Sequence, residues 1–567
     1  MKKIINDIRF NNIKMKNYYF ENRIFFLFNV IVFSIIVILF NITILQLLRT
    51  KQLTQEGDLR SSRIQIEPNL RGAIKDRAGN FLALSIPVNN ICIDPKIFFL
   101  KKKIEKEQWN KLSNILNIPL QKIIYKIKYF KNNRFMYLTK KVSQKIGKRI
   151  KKLNFPGVFV MDDFQRYYPF GKSTSQLIGI TNIDGIGIEG VEKSFNKILI
   201  GTPGKRKIRT DKFGNIIENN TLIKKNSPND INLSIDIRFQ TEIYRELNRA
   251  VNLNKAKSGT AILTNIKTGE ILAIANSPTY NPNNLKEISM ELIRNKAITD
   301  VFEPGSTVKP MVIMKALQKK IITSESIINT TPFILNKHVI QDVSYHKQLS
   351  VTDILKKSSN IGVSKLALSM PAYELIDIYS KFGLGKSTHS GLIGEINGIY
   401  PKKKHWSNLD KAVFSFGYGL MVTPLQLVNV YTTIGRYGLY KPLSIVKIKK
   451  NTTGTQIFSK SLVKIVLNML ESVTKPGGVG EKAAVKGYKI AAKTGTAKKT
   501  NSKGKYINRY VAYTVGVAPI SNPQLSLVVI INDPRAGKYY GGTISAPVFS
   551  SIMKFALRTA NIKPDDL

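Results

Sequence analysis

The chain has 567 residues and carries 88 Lys+Arg against 37 Asp+Glu, a formal charge of +51. At about 150 residues per domain this length suggests three or four units, and 43% hydrophobic residues exclude a wholly disordered chain. One cysteine, Cys92, excludes an internal disulfide or Cys-based zinc cluster, while the charge alone suits a nucleic-acid binder, a protein of an anionic surface, or a genome rich in lysine codons.

The first element is an uncharged run from Ile24 to Leu48, bracketed by Arg23 and Arg49. It is long enough to span a hydrocarbon core of ~30 Å. It is also longer than a signal peptide's apolar region and has no small-residue cleavage site behind it, so an uncleaved anchor is expected. Six Lys/Arg precede it, against four between Arg49 and Pro68. That bias favours a cytoplasmic tail over 1–23, an anchor over 24–48 and a stalk over 49–70, with the remainder outside the cytoplasm. Nucleic acid is then an unsuitable partner. Arg71 to Arg77 opens a new unit, and about 95–155 is Lys-rich and helical in pattern. Short strands and turns follow from Tyr167 to Lys225. After Asn226 the spacing predicts a helix over Ile237–Leu253, a hairpin (Gly259–Leu263 and Glu270–Ala275) and a long helical section. Strands are expected at Lys489–Ala492, Tyr510–Val517 and Leu525–Ile531, then a helix over Pro547–Arg558. Strands at both ends of a helical region predict an α+β domain with one antiparallel sheet.

Several motifs mislead. Gly171-Lys172-Ser173-Thr174 and Gly385-Lys386-Ser387-Thr388 end like a P-loop, but Arg166 and Ser380 stand where its first glycine belongs. Gly185 to Gly190 matches GxGxxG, yet polar Asn182 and Asp184 sit where a buried strand should end. Tyr125 to Lys141 interleaves aromatic and basic residues, which outside the cytoplasm reads as a solvated or protein-contact face.

The chemistry lies at Glu303-Pro304-Gly305-Ser306-Thr307-Val308-Lys309. Pro-Gly ahead of the serine and apolar periodicity behind it place Ser306 at a helix N-terminus. Lys309, three residues on, shares its face. The positive helix end favours the neutral amine that a proton acceptor needs. Ser-x-x-Lys alone is nearly uninformative in a chain this rich in lysine. Order decides: Ser358-Ser359-Asn360 follows 52 residues after Ser306, between helices, and Lys493-Thr494-Gly495-Thr496 follows 187 residues after it, on an apolar strand. A second Lys-Thr-Gly, Lys267 to Gly269, reads as a surface turn. The ordered triple is an arrangement for nucleophilic acyl transfer.

With these motifs the chain resembles the class B penicillin-binding proteins, specifically the division-specific peptidoglycan D,D-transpeptidases. Arg71 to Arg77, Arg166-Tyr167-Tyr168-Pro169 and Ile186 to Glu192 are similar to that family's non-catalytic pedestal. Phe302 to Pro310, Lys357 to Asn360, Tyr418 to Gln426 and Asp533 to Gly542 are similar to its septal catalytic core. The resemblance implies a pedestal of mixed α/β structure over 71–225, a transpeptidase domain with a serine β-lactamase-like sheet between helices over 226–560, and a tail over 561–567. It implies stem peptides ending in D-Ala-D-Ala as substrate and β-lactams as inhibitors. It also implies division proteins, a polytopic glycan polymerase among them, as partners, and the inner membrane at the septum as location. Ser306 is then the nucleophile and Lys309 its base. Backbone N–H groups of Ser306 and Thr496 form the oxyanion hole, and Gly495 leaves room for the substrate backbone. Ser358 relays a proton, Asn360 orients substrate and lysine, Lys493 adds positive potential, and Thr494 or Thr496 holds the terminal carboxylate. No metal or cofactor is required. An elongation-specific transpeptidase shares this chemistry. A carboxypeptidase or β-lactamase is disfavoured by the anchor and pedestal, and a catalytically dead scaffold by the intact motifs.

Overall fold

Apolar strands buried on both faces organise the C-terminal half of the chain. The computed structural model describes residues 2–67, 70–95, 106–133, 135–201, 204–210, 216–223, 228–286, 288–449, 453–501 and 503–566. It divides into two compact units, 1–69 with 202–227, and 70–201 with 228–567.

In the first unit, a helix over Asn22–Leu48 is long and apolar enough to cross a membrane. The expected stalk holds a helix, Thr50–Ser61, and a strand, Ser62–Glu67. That strand joins Gly204–Thr210 and Ile216–Ile223 in a three-stranded antiparallel sheet within this unit. Asp58 ties the sheet to the preceding helix, accepting from Lys207 at 2.9 Å and Arg209 at 2.5 Å.

The second unit begins with the rest of the pedestal. Its long strand, Phe81–Ile93, pairs antiparallel with Met136–Val142 and Val158–Tyr167. Helices Lys106–Leu116, Leu120–Tyr129 and Gln144–Leu153 cover a small core of Ile91, Leu112, Ile123 and Ile150. The segment 95–155 is therefore not wholly helical. Met136–Val142 is a strand whose buried Met136 and Leu138 alternate with half-buried neighbours, and 96–105 lies outside the described residues. Cys92, on the long strand Phe81–Ile93, is buried, and burial pushes its thiol up to about 11. Glu192, with no exposed surface, accepts from Arg71 Nε at 2.5 Å and Arg166 Nε at 2.7 Å. Removing one member of such a buried set leaves uncompensated charge, at a cost of ~3–5 kcal/mol. This ion pairing fixes the segment that carries the GxGxxG decoy.

The catalytic domain is one five-stranded antiparallel sheet between helices. The elements that position the site are α1 (Ile237–Leu253), β1 (Ser258–Asn265), β2 (Ile271–Ser277), α2 (Lys309–Gln318), α3 (Val351–Lys356), α4 (Asn360–Leu368), α5 (Pro424–Gly435), β3 (Ala491–Thr500), β4 (Tyr506–Ala518), β5 (Leu525–Asn532) and α6 (Gly541–Thr559). Strand order is β2-β1-β5-β4-β3. Along β5, Leu527, Val529 and Ile531 pack on one side with α1 and α6, while Val528 and Ile530 pack on the other with α5. Caps set the helix starts: Asp236 accepts from Arg238 N at 3.1 Å ahead of α1, and Thr423 with Gln426 forms a capping box ahead of α5. Two boundaries depart from expectation. β3 starts at Ala491 rather than Lys489 and extends to Thr500, carrying the Lys-Thr-Gly motif within it. α6 starts at Gly541, six residues ahead of Pro547, which sits inside the helix.

Candidate active site

The sheet's edge strand and three helix starts converge on one cavity of about 620 Å³, lined by Ser306, Ser358, Asn360, Thr494, Gly495 and Thr496 among others. Ser306 lies in a single 3-10 turn, Gly305–Val308, leading directly into α2. This turn is pinned from outside. Gly305 has φ +48°, and a Cβ there would lie 2.5 Å from the Tyr513 hydroxyl, which itself donates to Glu303 O at 2.9 Å. Tyr431 donates to Thr307 O at 2.9 Å. Glu303 is buried, which pushes its carboxyl up, and it accepts from Gly419 N at 3.1 Å and the Tyr506 hydroxyl at 3.1 Å.

Behind the cavity wall stand Lys309 and Lys493, neither with any exposed surface. Lys309 Nζ donates to Ser358 O at 2.6 Å, Asn360 Oδ1 at 2.7 Å and Ser358 Oγ at 3.3 Å. Lys493 Nζ donates to the same hydroxyl at 2.9 Å and to Thr494 O at 3.1 Å. One hydroxyl thus joins the two amines. Burial and then the charge of Lys493 hold Lys309 well below the usual lysine range, with Asp342 opposing. Burial pushes Lys493 down to about 7. Three oxygen acceptors favour an ammonium at Lys309, but loss of hydration and a second cation beside the same oxygen outweigh them. Among the described residues the Ser306 hydroxyl makes no hydrogen bond, so Lys309 points at the Ser358–Asn360 segment rather than at the serine. In unliganded sites such catalytic contacts often tighten only with substrate present.

Ser358 reaches both amines because of its backbone. It is a non-glycine residue at φ +59°, in the turn between α3 and α4, and that conformation aims its carbonyl and hydroxyl at Lys309 together. Strain of this kind persists only where the surroundings enforce it. The enforcing residue is Asp342, which the sequence did not single out. Its carboxylate accepts from Ser359 Oγ at 2.5 Å, Asn360 N at 2.5 Å and Ile361 N at 3.0 Å, while Ser359 caps α4 through Gly362 N at 2.9 Å. A carboxylate on the first N–H groups of a helix satisfies otherwise unpaired donors. No local pattern marks Asp342, because its partners lie 17 to 19 positions away.

On β3, Gly495 pairs with Tyr513. A Cβ on Gly495 would lie 2.0 Å from Tyr513 Cε2. The glycine is therefore required by this internal contact, a different reason from the expected approach of substrate backbone. Thr496 Oγ1 accepts from Gly541 N at 2.9 Å, at the start of α6, and its own proton stays available for an anionic acceptor. The Lys267–Gly269 copy forms the turn between β1 and β2, away from the cavity.

Comparison with known proteins agrees with this construction. The penicillin binding protein transpeptidase domain family matches residues 259–554, and the penicillin-binding protein dimerisation domain family matches 66–233. The chain is 59% identical over 564 residues to "Peptidoglycan D,D-transpeptidase FtsI" of Buchnera aphidicola subsp. Baizongia pistaciae, covering 98% of both chains. It is 53% identical over 524 residues to the protein of that name from Escherichia coli K12, covering 92% of this chain and 89% of the relative. A solved peptidoglycan synthetase from Bifidobacterium adolescentis shares the fold at TM-score 0.71 and 23% identity, covering 89% of this chain and 98% of that one. With its sheet, its ordered motifs and these relatives in agreement, the chain belongs to the penicillin-binding protein transpeptidase family.

Proposed function

We propose that this protein is a septal peptidoglycan D,D-transpeptidase acting through a Ser306 acyl-enzyme. The observation that carries the reading is Ser358 Oγ placed between two fully buried lysines, on a wall of the cavity that Ser306 lines. Near-full-length identity to relatives bearing that name supports it.

Ser306 Oγ attacks the carbonyl carbon of the penultimate D-Ala, and its proton passes to the neutral amine of Lys309. N–H groups of Ser306 and Thr496 hold the oxyanion. As the intermediate collapses, the C–N bond breaks and the departing D-Ala nitrogen takes a proton relayed through Ser358. Asn360 holds Lys309 and the substrate amide. Thr494, Thr496 and Lys493 provide hydroxyl protons and positive potential for the terminal carboxylate. An amine of a neighbouring stem then attacks the ester carbonyl, giving up a proton to the same relay, and Ser306 leaves with its proton restored.

The helix over Asn22–Leu48 anchors the chain once in the bacterial inner membrane, tail inward and catalytic domain in the periplasm. Division proteins, including a glycan polymerase, are its partners. The pedestal runs over 71–225 and the catalytic domain over 226–560.

Intact-protein mass spectrometry with penicillin tests the chemistry. One stable adduct on Ser306, lost in Ser306→Ala, is expected; rapid turnover of the drug would overturn the transpeptidase reading. A fluorescent fusion tests the location, and lateral-wall signal without midcell enrichment would defeat the septal assignment.

A further inference from the structure

Beside the nucleophile's turn lies a second cavity, of about 340 Å³, distinct from the one Ser306 lines. Its apolar part includes Phe302, Met421, Val511 and Ile530, and its basic part Arg294, Lys296, Lys498 and Lys499. Lys296 is 6% exposed, and among the described residues its amine makes no hydrogen bond or ion pair. Burial holds this amine below its usual range, with the charges of Asp300 and Glu291 opposing. Among the described residues Lys499 Nζ donates to one acceptor, the neutral Asn532 Oδ1 at 2.7 Å. The two carboxylates that line the space are already engaged, Asp300 by Arg294 at 2.5 Å and Glu303 by Tyr506 at 3.1 Å. Four cations against two partnered acids leave an excess of positive charge around an apolar floor.

We propose that this cavity binds a small amphipathic anion, a phosphate or carboxylate head on a short apolar body, and that its occupancy sets the acylation rate of Ser306. Lys296 and Lys499 hold the head, while Phe302 and Ile530 take the body. The volume suits a small ligand. Coupling follows from continuity of the walls. Val301–Glu303 enters the Ser306 turn three residues later, and Ala497–Thr500 continues β3 directly from Thr496. Filling the space therefore fixes the distance between the two segments that carry the nucleophile and the Lys-Thr-Gly strand.

Hexyl phosphate is the probe, with the full chain in a non-ionic detergent. Binding is followed by phosphorus NMR on the Ser306→Ala chain, so that the result does not depend on Ser306 being the nucleophile. Saturable binding is expected, at least tenfold weaker in Lys296→Met and in Lys499→Gln. Hexanol and inorganic phosphate should each bind at least tenfold more weakly than hexyl phosphate. In the chain with Ser306 intact, the probe should change the rate of labelling by fluorescent penicillin at least twofold. Lys296→Met should keep the basal labelling rate and lose that response. Binding that is unsaturable, indifferent to both lysine substitutions, or matched by inorganic phosphate would overturn the site. An unchanged labelling rate at saturation would overturn the coupling.

Discussion

Ser358 separates a conformational requirement from a chemical one. Its φ of +59° costs ~1–2 kcal/mol for any residue with a Cβ and little for glycine. Ser358→Gly should therefore keep thermal stability within about 1 kcal/mol of the parent, while penicillin acylation falls ~100-fold or more as the hydroxyl between the lysines is lost. Ser358→Ala should lose the same activity without relieving the backbone, melting below the glycine variant. Asp342 makes the complementary case, since it touches neither lysine through a hydrogen bond yet holds the segment that does. Its negative charge favours the protonated form of Lys309. In Asp342→Asn the Lys309 amine should lose its proton more readily, so the acid limb of the acylation pH profile moves to lower pH. The plateau should drop about tenfold as the α4 cap loosens, with ~1 kcal/mol of stability lost. A plateau loss without the shift of the limb would mean that Asp342 acts by position alone.

At the scale of elements, β3 is where expectation and structure diverged. The strand was legible as apolar only over Tyr488 to Ala492, because beyond it the sequence turns to Lys, Thr and Gly. Those residues stay extended because the ladder to β4 continues through them, and Lys493 can sit inside because Ser358 Oγ and Thr494 O meet its amine. Long-range pairing of this kind leaves no local mark. The start of α6 was hidden for a similar reason. Gly541 and Gly542 look like a turn, yet a Cβ on Gly541 would lie 2.4 Å from Gly495 O, so close packing on β3 selects glycine within the first helical turn. By contrast α1 was readable to the residue, its apolar face and Asp236 cap both being local. The Ser306 turn and the order of the three motifs were equally legible, whereas Asp342 and the tyrosines that clamp the turn were not. Gly495→Ala tests the element directly. The β3–β4 ladder must shift to clear Tyr513, so acylation should fall more than tenfold and the melting temperature should drop, whereas a variant with parental labelling would place the tight contact elsewhere.

Across the whole molecule, the charge of +51 admits an anionic partner or a genome rich in lysine codons. Of those cations, Lys309 and Lys493 lie fully buried beside the Ser306 cavity. Lys493 links the site to global stability. An unfolded lysine keeps its proton to a pH of about 10.4, while Lys493 in the folded chain releases it at about 7. Between those values the unfolded chain binds more protons, so stability rises with pH through that window. Lys309, also held low by burial, contributes with the same sign. Denaturation midpoints measured at pH 7, 8 and 9 should climb, and Lys493→Met should climb less steeply. Equal slopes would show that Lys493 stays charged inside the fold.

The two buried amines also supply a clock. Burial pushes Lys493 down to about 7 and holds Lys309 well below the usual lysine range, so each carries more of the uncharged, nucleophilic amine than an ordinary lysine at the same pH. Lys309 and Lys493 are spared only because no reagent reaches them. Their modification at pH 7 would therefore count the moments when the wall between Ser358 and β3 parts, turning a lysine-rich chain into a reporter of its own breathing.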